Sequence, residues 1–157
     1  MSSQPLTVRS GGPEDRAFVL ETARRLGEFG PPEWRTAEEI VAGEVRTLLR
    51  HFSSPSPAEA LLVAQDRSGQ RLGFVFLESL HDYFRGERHG HIGILAVAGE
   101  AEGRGTGRAL LDAAETWARS LGYGFLTLNV FERNLRARRV YEAAGYAAET
   151  LRYVRSL

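Results

Sequence analysis

The sequence predicts a mixed α/β domain in which a twisted central sheet is flanked by about four helices. Three observations lead there. Its 157 residues lie in the size range of one domain and suffice for a substantial core, so residues 1–157 read as a single domain. Apolar residues recur at period 2 in some segments and near period 3.6 in others, alternating along the chain. A glycine-rich strand-to-helix junction between Leu95 and Leu111 has the form of an anion-binding turn.

Leu6-Thr7-Val8-Arg9 reads as a first strand, and Pro13, Glu14 and Asp15 then supply the proline and acids that open a helix reaching about Leu26. Gly27 to Arg35 is a loop stiffened by Pro31-Pro32. Thr36 and Glu39 form a capping-box pattern, after which Ile40, Val41, Val45, Leu48 and Leu49 recur at helical spacing to about Phe52. Ser53 to Pro57 is a short loop within the domain. Ala60 to Gln65 and Gln70 to Leu80 alternate as strands, joined by the hairpin signal Asp66-Arg67-Ser68-Gly69. Residues 81–90 form a polar, aromatic loop before a strand from His91 to Ala98. A helix over 106–121, a strand over 124–130, a helix over 134–144 and a strand over 146–154 complete the order β-α-α-β-β-β-α-β-α-β. No internal repeat or low-complexity segment interrupts it.

Twenty basic and twenty acidic residues cancel, so no overall field draws the chain to nucleic acid or to a membrane surface. There is no cysteine, which excludes disulfides, thiolate metal sites and a cysteine nucleophile. The first residues lack the charged and apolar regions of a signal peptide, and no run approaches about 18 apolar residues. The expected location is the cytoplasm. Every basic residue is arginine.

The apolar run Leu95-Ala96-Val97-Ala98 leads into Glu102-Gly103-Arg104-Gly105-Thr106-Gly107-Arg108 and then a helix. Glycines at that spacing let successive N–H groups turn toward one point, where the helix N-terminus favours negative charge. The segment reads as a pyrophosphate cradle; the competing reading is a tight turn with solvated arginines. A Walker loop is excluded because the chain has no lysine, and the glycine spacing does not fit a dinucleotide fingerprint.

Downstream, the apolar stretch 125–130 is followed by Asn134, Ala137, Tyr141 and the pair Gly145-Tyr146. Together with the cradle, this resembles the GNAT superfamily of N-acetyltransferases, whose acetyl-CoA motif is Gln or Arg, two residues, Gly, one residue, then Gly or Ala. The resemblance covers residues 60–157 well and the first 55 in outline. It implies a twisted, mostly antiparallel sheet splayed between strands 4 and 5 to admit the pantetheine arm. The implied activity is acetyl transfer from acetyl-CoA to a primary amine, of a small molecule or of a peptide N-terminus or lysine, by direct attack in a ternary complex.

On that resemblance, main-chain groups of Leu95, Ala96 and Val97 hold the pantetheine, and amides from Gly103, Arg104, Gly105, Thr106, Gly107 and Arg108 hold the diphosphate. The side chains of Arg104 and Arg108 flank the turn and can add charge-assisted bonds to phosphate. Asn134 orients the cofactor, and Tyr141 donates a proton to the departing thiolate; as plain structure, the first is a helix N-cap and the second a core tyrosine. Glu102 departs from the motif, because a carboxylate beside a diphosphate repels it unless it points elsewhere.

The general base is the open position. The acid that many relatives carry two residues before Leu95 is here Gly93. His91 falls where some histone-type members place a catalytic Glu and can accept a proton near neutral pH; Glu78, on the preceding strand, is the alternative. His89 and His91 share one strand face but lack a third ligand, so no metal is expected. Trp34, Tyr83 and Phe84, in the loops that choose substrates in this fold, are candidate acceptor contacts or the residues of a core or homodimer seam. Gly93 and Glu102 keep a second reading open, a non-catalytic acyl-CoA-binding module, and loss of the cofactor in a homodimeric interaction protein is a third.

Overall fold

The computed structural model describes residues 5–157. β1 (Leu6–Ser10) leads through a 3₁₀ turn, Pro13–Asp15, into α1 (Arg16–Ala23), which a second 3₁₀ turn, Arg24–Gly27, prolongs. α2 (Ala37–Ser53) starts at a complete capping box: the Glu39 N–H donates to Thr36 Oγ1 at 3.1 Å, and the Thr36 N–H donates to the Glu39 carboxylate at 2.9 Å. β2 (Glu59–Asp66), β3 (Arg71–His81) and β4 (Arg88–Val97) form a meander. α3 (Thr106–Ser120), β5 (Leu126–Leu128) and α4 (Leu135–Ala143) follow.

The five strands lie in chain order, antiparallel except for β4 and β5, which run parallel and pair only over Gly90–Ile92 and Leu126–Leu128. Beyond that short ladder the two strands diverge. One core layer, with Val75, Leu77, Ile92, Leu110, Leu111 and Ala114, packs the sheet on α3. The other, with Val19, Leu48, Phe74, Phe76, Ile94 and Ala96, packs it on α1 and α2.

Asp15 ties β1 to β3 from beneath α1. Its side chain is fully buried, accepts two bonds of 2.8 Å from the Arg9 guanidinium and one of 2.6 Å from Arg71 Nε, and also caps the Gly12 N–H at 2.9 Å. The acid that opens the first helix is therefore a buried ionic anchor as well.

β4 carries a bulge. Phe76 pairs with Ile94 and Leu77 with Ile92, so Gly93 is the extra residue. Because the phase of alternation flips there, Ile92 faces the α3 layer whereas Ile94 and Ala96 face the α1 and α2 layer. His91 thereby joins the α1 and α2 side.

Three expectations are corrected. β4 begins at Arg88, inside the segment read as loop, because main-chain pairing of Arg88, His89 and Gly90 with His81, Leu80 and Ser79 needs no apolar side chain. The hairpin turn is instead a short one, closed by the Asp82 carboxylate on the N–H groups of Phe84 and Arg85. β5 spans only three residues, and residues 146–154 form no strand, because their backbone meets no partner strand within the chain.

Candidate active site

α3 opens at Gly105, which has φ +79° and serves as a left-handed N-cap that a side chain would strain. Among the described residues the N–H groups of Gly103, Gly105, Thr106, Gly107 and Arg108 find no acceptor within the chain. Thr106 is buried, and its Oγ1 also has no partner. A Cβ built at Gly103 or Gly105 meets nothing within 4 Å, so the space beside these amides is open. Free donors of this kind stand at the positive end of a helix dipole, the arrangement an anion needs.

A cavity of about 460 Å³ runs from this turn between β4 and β5. Its walls include Ile92 to Val97, Leu128 to Phe131, Asn134 and Tyr141, with Leu26, Phe29, Ile40 and Glu44 contributed from the helical layer. The Ala98 N–H donates to Leu72 O at 2.8 Å, so by strand alternation Leu95 and Val97 turn their main-chain groups away from β3, toward the gap. The Val97 carbonyl accepts there from Arg25 Nη1 at 2.5 Å.

Glu102 does not confront the cradle with bare charge. Its Oε1 accepts from Arg25 Nη2 at 2.5 Å and from Arg136 Nη1 at 3.4 Å, which lowers its pKa from 4.5. Both guanidiniums also stand over the Phe29 ring, at 5.7 and 5.8 Å from its centroid. One carboxylate is thus outnumbered by two cations at the rim.

On the α1 and α2 side of the sheet, Glu59, Glu78, His91 and Thr127 occupy one row across four strands. His91 Nδ1 lies 2.8 Å from Thr127 Oγ1, and His89 Nε2 shares the same hydroxyl at 3.1 Å. Burial, with a smaller contribution from His89, lowers the His91 pKa below 6.5. Glu78 is raised above 4.5 by burial and then by Glu59. Its Oε2 lies only 2.8 Å from where a Gly93 Cβ would sit, so the carboxylate fills the gap that glycine leaves in the cavity wall. Glu44, across the same end of the cavity, is raised by burial and by Glu78.

Tyr141 lines the cavity from α4, packs edge-on against Tyr146 at 6.0 Å, and is held protonated more strongly by burial. Asn134 caps α4, its Oδ1 accepting from the Ala137 N–H at 3.1 Å, while also lining the cavity. Arg108 lines the cavity too, though its guanidinium pairs with Asp112 at 3.0 Å.

Other expected residues are not brought in. Arg104 turns both its N–H, toward Ala101 O, and its guanidinium, 3.7 Å from Asp66, away from the cradle. Trp34, Tyr83 and Phe84 are 52%, 92% and 85% exposed, and none lines the cavity; the first of the two loops reaches it through Phe29 and not through Trp34. His91 sits behind the wall, at the level of Glu78. In their place the structure supplies Arg25, Phe29, Glu44 and Arg136. Two of them left a trace in the sequence: Phe29 lies with Trp34 in the loop between the first two helices that chooses substrates in this fold, and Glu44 interrupts the apolar stripe Ile40, Glu44, Leu48 of α2. Among the described residues no three potential ligands gather around a metal position, and no helix is long and apolar enough to cross a membrane.

A mixed sheet that splits between β4 and β5, with a glycine turn opening a helix at one end of the gap, is the architecture of the acyltransferase fold class. The family model described as the Acetyltransferase (GNAT) family matches residues 19–146, and the chain belongs to that family. A curated relative from Stenotrophomonas maltophilia, an aminoglycoside N(6')-acetyltransferase type 1, is 32% identical over 94% of this chain and 90% of its own length. A mycothiol acetyltransferase from Propionibacterium freudenreichii is 38% identical over 55% of this chain, which spans only 27% of that protein. Among solved structures, a ribosomal-protein-alanine N-acetyltransferase from Brucella melitensis shares the fold with a TM-score of 0.71 at 20% identity, covering 98% of this chain and 100% of its own.

Proposed function

We propose that residues 1–157 act as one domain that transfers an acetyl group from acetyl-CoA to the primary amine of a small cationic molecule, with both substrates bound together. One observation carries the reading: a single cavity joins unpaired main-chain donors at Gly103 and at Gly105 to Arg108 with half-buried carboxyl groups, Glu44 lining it and Glu78 filling the gap at Gly93. The cradle residues fit the group they would hold, since a diphosphate needs several converging donors and open space, and both are present. Acetyl-CoA supplies an activated acyl carbon and a stable thiolate leaving group.

The chain's own residues account for the rest. Main-chain groups of Leu95 and Val97 hold an extended arm in the gap as an added strand would. The bulge at Gly93 leaves ladder groups unused on the cavity wall, and such preorganised donors stabilise developing negative charge. Glu78 accepts the proton of the acceptor ammonium, with His91 beside it in the same row. Tyr141, protonated at neutral pH, returns a proton to the leaving group. Glu44 and Glu78 repel each other and are half-desolvated, so an incoming ammonium relieves both.

The two features that favour a non-catalytic module have counterparts in this geometry: Glu78 takes the place vacant at Gly93, and Arg25 with Arg136 offsets Glu102. The Stenotrophomonas maltophilia relative, named for an aminoglycoside amine, supports an amine on a polycationic body as acceptor. The test combines calorimetric titration of acetyl-CoA with thiol release over a panel of aminoglycosides, polyamines and short peptides. Turnover with the small polycations is expected. Tight acetyl-CoA binding without thiol release on any amine overturns the transfer reading.

A further inference from the structure

We propose that Arg25 and Glu102 form a latch in the gap between β4 and β5 that competes with the acetyl-CoA arm, so that the carboxylate at the first motif position lowers cofactor affinity by way of Arg25. The inference rests on the cofactor reading above.

The latch begins with a main-chain requirement. Beyond Ile92, β4 has no pairing with β5 among the described residues, and a carbonyl turned to that side needs a donor from elsewhere. Arg25 supplies one, its Nη1 donating to Val97 O at 2.5 Å. An arm held along β4 as an added strand would use that same carbonyl, so the guanidinium stands in its path. Nη2 donates to Glu102 Oε1 at 2.5 Å, and Nε lies 3.5 Å from the Glu28 carboxylate. One planar group therefore bridges a strand and the rim of the cradle, through a fixed fork that a lysine lacks.

Glu102 keeps the latch shut. Among the described residues its side chain accepts from Arg25 and Arg136 and from no amide of the cradle, so it holds guanidiniums and is not part of the anion site. Arg136 comes from α4, and both cations stand over the Phe29 ring. All four residues line the cavity, yet the contacts are made by the ends of long side chains, those of Arg25 and Glu102 being 22% and 35% exposed. The latch can open without moving a strand. A ligand that enters only the open form shows its intrinsic dissociation constant divided by the open fraction. Removing the Glu102 charge raises that fraction and tightens binding. Plain repulsion between Glu102 and the diphosphate has the same sign, but it does not depend on Arg25.

Calorimetric titration of coenzyme A into four full-length chains separates the two: the parent, Glu102→Gln, Arg25→Met and the double variant. Glu102→Gln should tighten binding by about threefold to fivefold, the upper range for one rim ion pair. The same change in the Arg25→Met chain should move the affinity by less than about 1.5-fold, on the same scale. Equal tightening in both backgrounds overturns the latch and leaves repulsion as the whole effect. Unchanged or weaker binding by Glu102→Gln overturns it too, since the carboxylate then does not oppose the cofactor. A parent that binds no coenzyme A sinks the cofactor reading, and the latch falls with it; a parent that binds, with no coupling in the cycle, sinks the latch alone. As a second measurement the cycle is repeated with Arg25→Lys, which keeps the charge and loses the fork. Its coupling to Glu102 should vanish as well, and coupling retained with lysine overturns the bridging geometry.

Discussion

Gly93→Ala is the most economical probe of the site, because it adds one methyl group and leaves every polar residue in place. Gly93 does not have positive φ, so alanine can adopt its backbone conformation. The new Cβ would stand 2.8 Å from Glu78 Oε2 and 3.2 Å from Phe76 Cδ1. Phe76 is fully buried and has little freedom to retreat, whereas the Glu78 carboxylate is the end of a flexible side chain. The carboxylate must therefore withdraw by about 0.6 Å to reach ordinary contact, and misplacement of a catalytic group on the order of 1 Å costs about a hundredfold. A fall in kcat of about tenfold to hundredfold is expected, with the KM for acetyl-CoA nearly unchanged. Stability should move by less than about 1 kcal/mol, since the lower entropy of the unfolded alanine chain offsets the small adjustment of Phe76. The assay is steady-state thiol release together with thermal unfolding. A folded variant with kcat within twofold of the parent would refute the role of the Gly93 gap. The Glu78→Gln variant sharpens the result: if both changes act through one carboxylate, the double variant loses little beyond Glu78→Gln alone.

The other expectations concern the cradle, the phenol, the base and the buried anchor. Gly105→Glu places a carboxylate and a strained left-handed residue at the α3 N-cap, so calorimetry should show CoA affinity reduced at least about tenfold; unchanged affinity would remove the cradle. Tyr141→Phe should lower kcat by about a hundredfold or more, leaving acetyl-CoA affinity within about twofold. Activity should fall with acid as the base is protonated. Glu78 is raised above its ordinary 4.5 and His91 is lowered below its ordinary 6.5, so the two shift toward each other and the position of the limb alone does not separate them. Loss of the limb in Glu78→Gln, with its retention in His91→Gln, assigns the base; the opposite pattern reassigns it to His91. Finally, Arg9 and Arg71 hold the Asp15 carboxyl well below its ordinary 3.8. Its contribution to stability is thus present above that value and is lost as pH falls through and below it. Asp15→Asn should destabilise by about 3–5 kcal/mol in denaturant titrations at neutral pH and flatten the acid dependence.

Much of this protein is legible from residue order. Local rules suffice where a few adjacent residues settle the backbone. Thr36 with Glu39 starts α2, Asp66 to Gly69 turns a hairpin, and Asn134 caps α4, because each bond spans at most four residues. The glycine turn before α3 is legible for the same reason. Its free amides follow from helix termination, wherever the helix is placed in the molecule.

Contacts between distant segments are a different matter. Arg25 reaches Glu102 across 77 residues, and Arg133 meets Glu33 across 100, so no local pattern announces the pairing that offsets the charge at the cradle rim. Strict alternation along β4 would put His91 on the same face as Leu95; the bulge at Gly93, visible only through pairing with β3, moves it to the side of Glu78 and Thr127. The aromatic residues Trp34, Tyr83 and Phe84 look like substrate contacts because their types suit the task, but loop trajectory leaves them outside the cavity. Residue order, then, carries the helices, the first three strands, the glycine turn and the family resemblance, since those depend on short-range hydrogen bonds and the period of apolar residues, whereas the start of β4, the length of β5 and the unpaired 146–154 depend on which strands meet. The sequence offers Glu78 as an alternative base, but its meeting with Glu44 belongs to tertiary structure: the two come from a strand and a helix that meet only when the sheet has folded against α2, and their weakened acidity arises first from that burial.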